Sequence, residues 1–463
     1  MTLDNPLIPL VRHALRTRYE DLPPEVVAKA KIFLLDTIGV GVAGSAGALV
    51  DNLIAVAKGW GTGDEATVWV TGERLPAPAA AIANAYQIHC LEYDCVHERA
   101  VLHPMATILA ALSAYCERRS AQGRPVTGRE LIPALAVGVD AATMLGMAAT
   151  GPIRFFRPAI CGAFGCAAAI AQMEGFDEET AVNAFGILYG QVSGTLQPHL
   201  EGVPLLGLQI GFNARASITA CDLAKAGFIG PKDILTGRYG FFPLYEDGQA
   251  GDLESTWAGL GRDWQIANLA HKPYPSGRLT HGTVHGLREL ESRFGIDLGD
   301  IEHLTAYVPP LVHRLVGRPD MPDPAPNYAK LCIPFVAGSW VAKRRCDVPD
   351  FLGDELRNPA VHDFAARVTV LEDGNPDQNA MSPQRFIARM KNGQTHEVTL
   401  PWIYGHPEVP LTEAENEAKF RRCWAYARGP LDPAGADKVA AFVDRIEEQA
   451  DVAALVPLLV RPG

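Results

Sequence analysis

The feature that most restricts how this chain can fold is a succession of alanine- and glycine-rich apolar blocks at helical spacing through its first half. Ala28–Gly44 (AKAKIFLLDTIGVGVAG) carries apolar side chains at helical spacing behind a Pro23–Pro24 start signal. Similar blocks follow at Pro76–Tyr93, Pro104–Arg119, Thr127–Met147, Gly162–Met173, Glu178–Gly194 and Asn213–Ala226. Small residues at the contact positions let helix axes approach closely. That suits a buried multi-helix bundle better than a parallel sheet.

The texture changes near Trp264. Ala306–Pro310, Arg367–Leu371 and His396–Leu400 have the Val, Thr and Leu content of short strands, with helices expected at Thr280–Phe294 and Tyr328–Lys343. After Pro410 the chain turns helical again. Leu411–Trp424 opens with Thr412 three residues before Glu415, a capping box, and Pro433–Glu448 follows. The expected fold is mainly α: a large all-helical domain formed by both chain ends (residues 1–263 and 405–463), with a smaller α+β lid domain (264–404) inserted.

Bulk properties exclude several classes of function. A chain of 463 residues, 48% hydrophobic and 20% charged, can bury the cores of two or three domains. A net charge of -12 argues against nucleic acid or an anionic membrane as partner, although a buried pocket can still be locally basic. Met1–Pro6 lacks the basic start of a signal peptide, and Ile32–Val50 is interrupted by Asp36, so a cytoplasmic protein without a membrane span is expected. The nine cysteines are scattered with no CxxC pair, which predicts neither a zinc ribbon nor a disulfide framework. No GxGxxG after a strand, GxxxxGK[ST] or GxSxG occurs, and Gly59–Glu65 (GWGTGDE) reads as a turn.

One segment stands apart. His89–Pro104 (HCLEYDCVHERAVLHP) packs three histidines and three carboxylates between two apolar helices. A solvated interhelical loop would account for it. So would a catalytic loop, because imidazole beside carboxylate is an acid–base pair at neutral pH. His97, His103 and Asp94 could in principle hold zinc, but the spacing is not a recurring ligand pattern and no thiolate pair supports it, so no metal is expected.

The run AIANAYQIHCLEYDCVHERAVLHP resembles the signature of the MmgE/PrpD family, whose members include 2-methylcitrate dehydratases, cis-aconitate decarboxylases and iminodisuccinate epimerases. His271–His281 (HKPYPSGRLTH) is similar to the family's lysine–proline–tyrosine–proline block, and Gly405–Thr412 to a late segment ahead of a charged helix. The resemblance implies a helical domain with an inserted α+β domain, a homodimer, no cofactor, and a small di- or tricarboxylate as substrate. Two positions depart from the pattern: Arg157 stands where the family has a histidine, and Leu206 where it tends to have a lysine.

The family's reactions share the handling of a proton or carboxylate at a carbon beside a carboxylate, where an aci-carboxylate develops and calls for fixed cations. His103 is the expected base, oriented together with His97 by Asp94. Lys272, Arg278 and Arg157 are the expected cations, and His97, Lys272, His281 and Tyr328 the candidates for the opposite face. Each has a structural alternative: His103 as a helix cap, Lys272 as a surface cation, Arg157 and Arg278 as salt-bridge partners, Tyr328 as core. The leading expectation is a lyase (dehydration or decarboxylation). An epimerase of an imino- or aminodicarboxylate is the runner-up, and a non-catalytic carboxylate-binding paralogue a third possibility.

Overall fold

The computed structural model describes residues 5–461. Most of the expectation about a leader, which concerned Met1–Pro6, therefore lies outside the described residues. The N-terminal half is helical, with long elements at Pro24–Gly44, Ala77–His89, Pro104–Ala121, Gly128–Ala148, Arg157–Glu174 and Leu206–Lys225. Local signals set several starts. Thr127 and Glu130 form a reciprocal cap on one helix, and Pro104 and Pro158 occupy first-turn positions where no backbone N–H is needed.

Close approach between these helices depends on the small residues. A Cβ on Gly165 would lie 2.4 Å from the Gly138 carbonyl, and one on Gly138 would lie 3.0 Å from the Gly165 carbonyl. Only hydrogen at both positions lets the Gly128–Ala148 and Arg157–Glu174 helices cross where they do. Gly128–Ala148 is long and apolar enough to cross a membrane, yet 94% of its most apolar stretch is buried inside this protein. It is a central core helix.

One apolar core runs from Leu7 to Leu269 and takes in Phe420, Trp424, Val439 and Leu459 from the C-terminal end. A second core gathers residues between Leu279 and Ile403. Its frame is a four-stranded mixed sheet ordered Val368–Glu372, Ile301–Val308, Gln384–Met390, Thr395–Leu400, the first pair parallel and the others antiparallel. The His281–Phe294 helix lies on this sheet, with Gly286 against the Phe386 ring. Mainly α with a small mixed sheet is therefore the observed class.

Some elements differ from expectation. Gln384–Met390 is an additional strand, with Phe386, Ala388 and Met390 inward. The helix expected over Tyr328–Lys343 is two, Pro326–Lys330 and Ile333–Lys343, because Pro334 starts a new first turn. The nine cysteines are unpaired, and all but Cys90 are buried.

Candidate active site

The Ala77–His89 helix ends at His89, and the following loop turns sharply, with Glu92 at φ +54° and Val101 at φ +55°. Non-glycine residues held in this region usually need a surrounding structure that enforces them. Here the enforcement is visible. Val96 and Ala270 exchange two backbone hydrogen bonds (3.0 and 2.8 Å), while His97 and Leu102 close the loop on itself (2.8 and 3.3 Å). From beneath, the Lys419 ammonium donates to the Tyr93 carbonyl (3.0 Å) and pairs with Asp36 (2.7 Å). The bridge to Ala270 delivers Lys272, 180 residues away in sequence, to Glu92.

The resulting cluster is compact. Lys272 Nζ lies 3.0 Å from Glu92 Oε2 and 4.0 Å from Asp94 Oδ1. Asp94 accepts from His89 Nδ1 at 3.0 Å, and its Oδ2 lies 3.4 Å from His103 Nδ1. His103 Nδ1 also reaches the Cys95 carbonyl at 3.0 Å. Since a carbonyl only accepts, the His103 proton sits on Nδ1 and the Nε2 lone pair is free. Lys272 and Asp94 are fully buried, whereas the His103 side chain keeps 13% of its exposure and forms the accessible edge. The His103 side chain caps nothing, although it stands at the start of the Pro104–Ala121 helix.

The electrostatics assign states. Burial opposes the charge on Glu92, but Lys272 and the two histidines hold its carboxyl down at about 2. Asp94 is likewise held well below the usual carboxylate range, burial being outweighed by His89 and His103. Burial and Lys272 together push His103 down to about 4, so its ring is neutral at pH 7. Burial disfavours the His89 cation too, yet Asp94 and Glu92 prevail and raise it. The site thus holds two carboxylates, the Lys272 ammonium, a His89 ring whose charged form its carboxylate neighbours favour, and one neutral imidazole with a free lone pair. Ligand atoms of His89, Asp94 and His103 all lie within 4.8 Å of one another. A divalent cation there would meet the Lys272 ammonium at close range and displace hydrogen bonds already made, so the set suits proton handling better than metal binding.

The other expected residues fall elsewhere. His97 uses both ring nitrogens, Nε2 on Gln265 (3.0 Å) and Nδ1 accepting from Ala100 N–H (3.1 Å). It faces a separate cleft of about 750 Å³ lined by Arg262, Asp377 and His406. That ring has no spare nitrogen for acid–base work. Arg157 is not a substrate clamp: its guanidinium forks onto Glu246 (2.9 and 2.7 Å), with both side chains 2% exposed. Arg278 is a brace, bound to Glu98 and to the carbonyls of Tyr404, Ile403 and His271. His281 donates to the Ser276 carbonyl (3.2 Å) and packs edge-on to Tyr274. Tyr328 is outside the core; its hydroxyl donates to the Pro319 carbonyl and its ring lies under Arg318. Leu206, where the family lysine was expected, is buried core.

Sequence reasoning passed over His89 and Glu92, although both lie inside the motif quoted for it. It also passed over Lys330, a buried ammonium whose hydrogen bond to the Cys90 carbonyl (3.2 Å) ties the Pro326–Lys330 helix to the loop after His89. Having tyrosine two residues before it was no signal of that role.

Residues 9–254 match the MmgE/PrpD N-terminal domain and residues 274–443 the MmgE/PrpD C-terminal domain. The chain is similar to a cis-aconitate decarboxylase of Aspergillus terreus, at 25% identity over 96% of this chain and 93% of the fungal protein. It is similar at the same 25% identity to cis-aconitate decarboxylases of Mus musculus (97% of this chain, 92% of the mouse protein) and Homo sapiens (96% and 92%). With two domain models covering most of its length around one buried acid–base cluster, the chain belongs to the MmgE/PrpD family.

Proposed function

We propose that the protein is a lyase that acts on a small di- or tricarboxylate at a carbon next to a carboxylate, with decarboxylation favoured over dehydration. The observation that carries this reading is His103: a neutral imidazole whose Nδ1–H is fixed by a carbonyl and whose Nε2 is free, beside a buried ammonium. In a decarboxylation the bond to the departing carbon dioxide breaks, and its electron pair flows into a neighbouring carboxylate. Lys272 and the His89 ring, whose charged form Asp94 and Glu92 favour, are the groups that would stabilise that growing negative charge. The proton that ends on carbon comes from His103 Nε2 after the ring has been protonated. An arriving polyanion favours that protonation because it offsets the Lys272 charge, which adds to burial in holding the ring neutral. The names of the relatives favour carbon dioxide as leaving group. The cluster itself serves either elimination.

The test is incubation of the purified protein with cis-aconitate and a panel of hydroxy-, amino- and unsaturated di- and tricarboxylates in deuterated water. Product lighter by carbon dioxide supports the proposal in full, and product lighter by water supports the alternative elimination. Deuterated substrate of otherwise unchanged mass would instead make the protein an epimerase. Absence of product and of exchange across the panel contradicts catalysis.

A further inference from the structure

The cations of this protein divide into those already matched and those left over. Lys272, Lys419, Arg157 and Arg278 are each within 3.0 Å of a carboxylate oxygen. Arg318 is not. Among the described residues no carboxylate lies within ion-pairing distance of it, although it is partly buried. Its Nη2 donates to the carbonyls of Leu315 (2.9 Å) and His199 (3.1 Å) and to His199 Nδ1 (3.0 Å), while its buried Nη1 has no partner. Arg157 also has an unpartnered Nη1, but Glu246 balances its charge. Arg318 has neither compensation, and an unpaired buried donor on a cation is costly to keep.

Its neighbour is fixed by the same contact. A guanidinium can only donate, so His199 Nδ1 accepts, and the ring's one proton must sit on Nε2. The ring is neutral, because burial and Arg318 push it down to about 4. His199 Nε2–H and Arg318 Nη1–H are therefore two donors with no acceptor among the described residues, one neutral and one charged. Each is a donor of the kind that a carboxylate oxygen accepts.

The pair stands by the catalytic cluster through two separate connections. The chain leading to His199 is bridged at Thr195 to Phe155, and the next residue, Phe156, packs its ring 5.8 Å from that of His89. On the other side, Arg318 covers the Tyr328 ring at 4.8 Å, and a Cβ on Gly202 would touch Tyr328 at 3.0 Å. Two residues beyond Tyr328, Lys330 reaches back to the Cys90 carbonyl beside His89. Among the described residues, no carboxylate lies within ion-pairing distance of Lys330 either.

We propose that Arg318 and His199 form an anchoring subsite for a carboxylate of the substrate that does not itself react, with Lys330 contributing charge nearby. The proposal rests on the reading of the protein as a polycarboxylate enzyme and extends it: the substrate carries a second carboxylate that reaches from the His103 cluster to the α+β domain. It also gives a chemical reason why a family member can lack the cation at Leu206 and have its Arg157 locked in an ion pair. The anion is held from the opposite wall.

The experiment uses the full-length protein, Arg318→Gln, Arg318→Lys and His199→Asn, and two measurements. The first is thermal shift with tricarballylate, an inert tricarboxylate, against butyrate, a monocarboxylate. The wild type should be stabilised by tricarballylate and not by butyrate. That stabilisation should vanish in Arg318→Gln and shrink in His199→Asn and Arg318→Lys. The second uses whichever acid the panel shows to be turned over: KM should rise about tenfold to a hundredfold in Arg318→Gln, the loss expected for a hydrogen bond to a charged group, with kcat reduced less. Unchanged KM and an undiminished shift in Arg318→Gln overturn the subsite. An Arg318-dependent shift without turnover of any acid upholds the subsite while the lyase reading fails. Should Arg318→Gln not fold, the same wild-type shift for butyrate and tricarballylate would by itself overturn the proposal.

Discussion

The two groups of charges at the candidate site follow opposite electrostatic plans. On the helical side, Glu92, Asp94, His89 and Lys272 neutralise one another before anything binds, and all are buried. On the α+β side, Arg318 and Lys330 have no carboxylate within ion-pairing distance among the described residues. The first arrangement keeps protonation states fixed, which proton transfer requires. The second is poised for an anion that arrives from outside. Charge that is pre-paired does chemistry; charge left unpaired binds.

That contrast can be broken most decisively at His103. His103→Ala should lower turnover by about 10²–10⁴-fold, the range for a lost acid–base group, while the melting temperature stays near the wild-type value. A fully active variant would move proton handling off the helical wall. Next in size is Lys272→Met, which leaves Glu92 buried without its cation. Breaking one side of a buried pair costs about 3–5 kcal/mol, measurable by denaturant unfolding. The double variant Lys272→Met/Glu92→Gln should regain stability and stay inactive. Activity recovered along with stability would reduce Lys272 to a structural role. Arg157→Met should cost a similar about 3–5 kcal/mol through the orphaned Glu246, without the rise in KM predicted for Arg318→Gln. A larger KM effect at Arg157 than at Arg318 would reverse the assignment of the anion-binding wall.

The smallest effect is graded. His97, His103, His199, His271 and His285 are all pushed by burial from the ordinary 6.5 to about 4. Above pH 6.5 these rings are neutral in both folded and unfolded chains. As pH falls below that value the unfolded chain takes up protons that the folded chain does not, so stability drops steadily toward pH 4. His89, raised by Asp94 and Glu92, and His362, raised by Asp320, work in the other direction but are outnumbered. Melting temperatures recorded from pH 7 to pH 4 should decline from the start of this window. A flat profile to pH 5 would mean that the rings are solvated.

Much of this was legible in the sequence, and the remainder has physical causes. Helical periodicity located the long helices, but the Leu206–Lys225 helix was read from Asn213 because Gly207 and Gly211 look like breakers. Both are helical, and a Cβ on either would press on the Ala77–His89 helix at Tyr86 or Ile82. The strand Gln384–Met390 does alternate, yet Arg385 and Arg389 on its other face gave it the look of a loop. The motif around His103 pointed to the loop that carries the buried charge cluster, but chemistry-bearing residue types could not separate His97 from His89. Eight residues apart in one segment, they meet different partners, His89 pairing with Asp94 and His97 with Gln265, because the loop reverses between them at Glu92. The Arg318–His199 contact spans 119 residues and joins two irregular segments, so no spacing rule could have found it.

The most direct test of the central claim is deuterium incorporation, followed by proton NMR on the acid that the protein turns over. Wild-type protein in deuterated water should place deuterium on the carbon beside a carboxylate, and His103→Ala, folded and at equal concentration, should do so at a rate reduced at least about a hundredfold. Incorporation by His103→Ala as fast as by the wild type would show that the proton passes through another group, and the account of this site would fall.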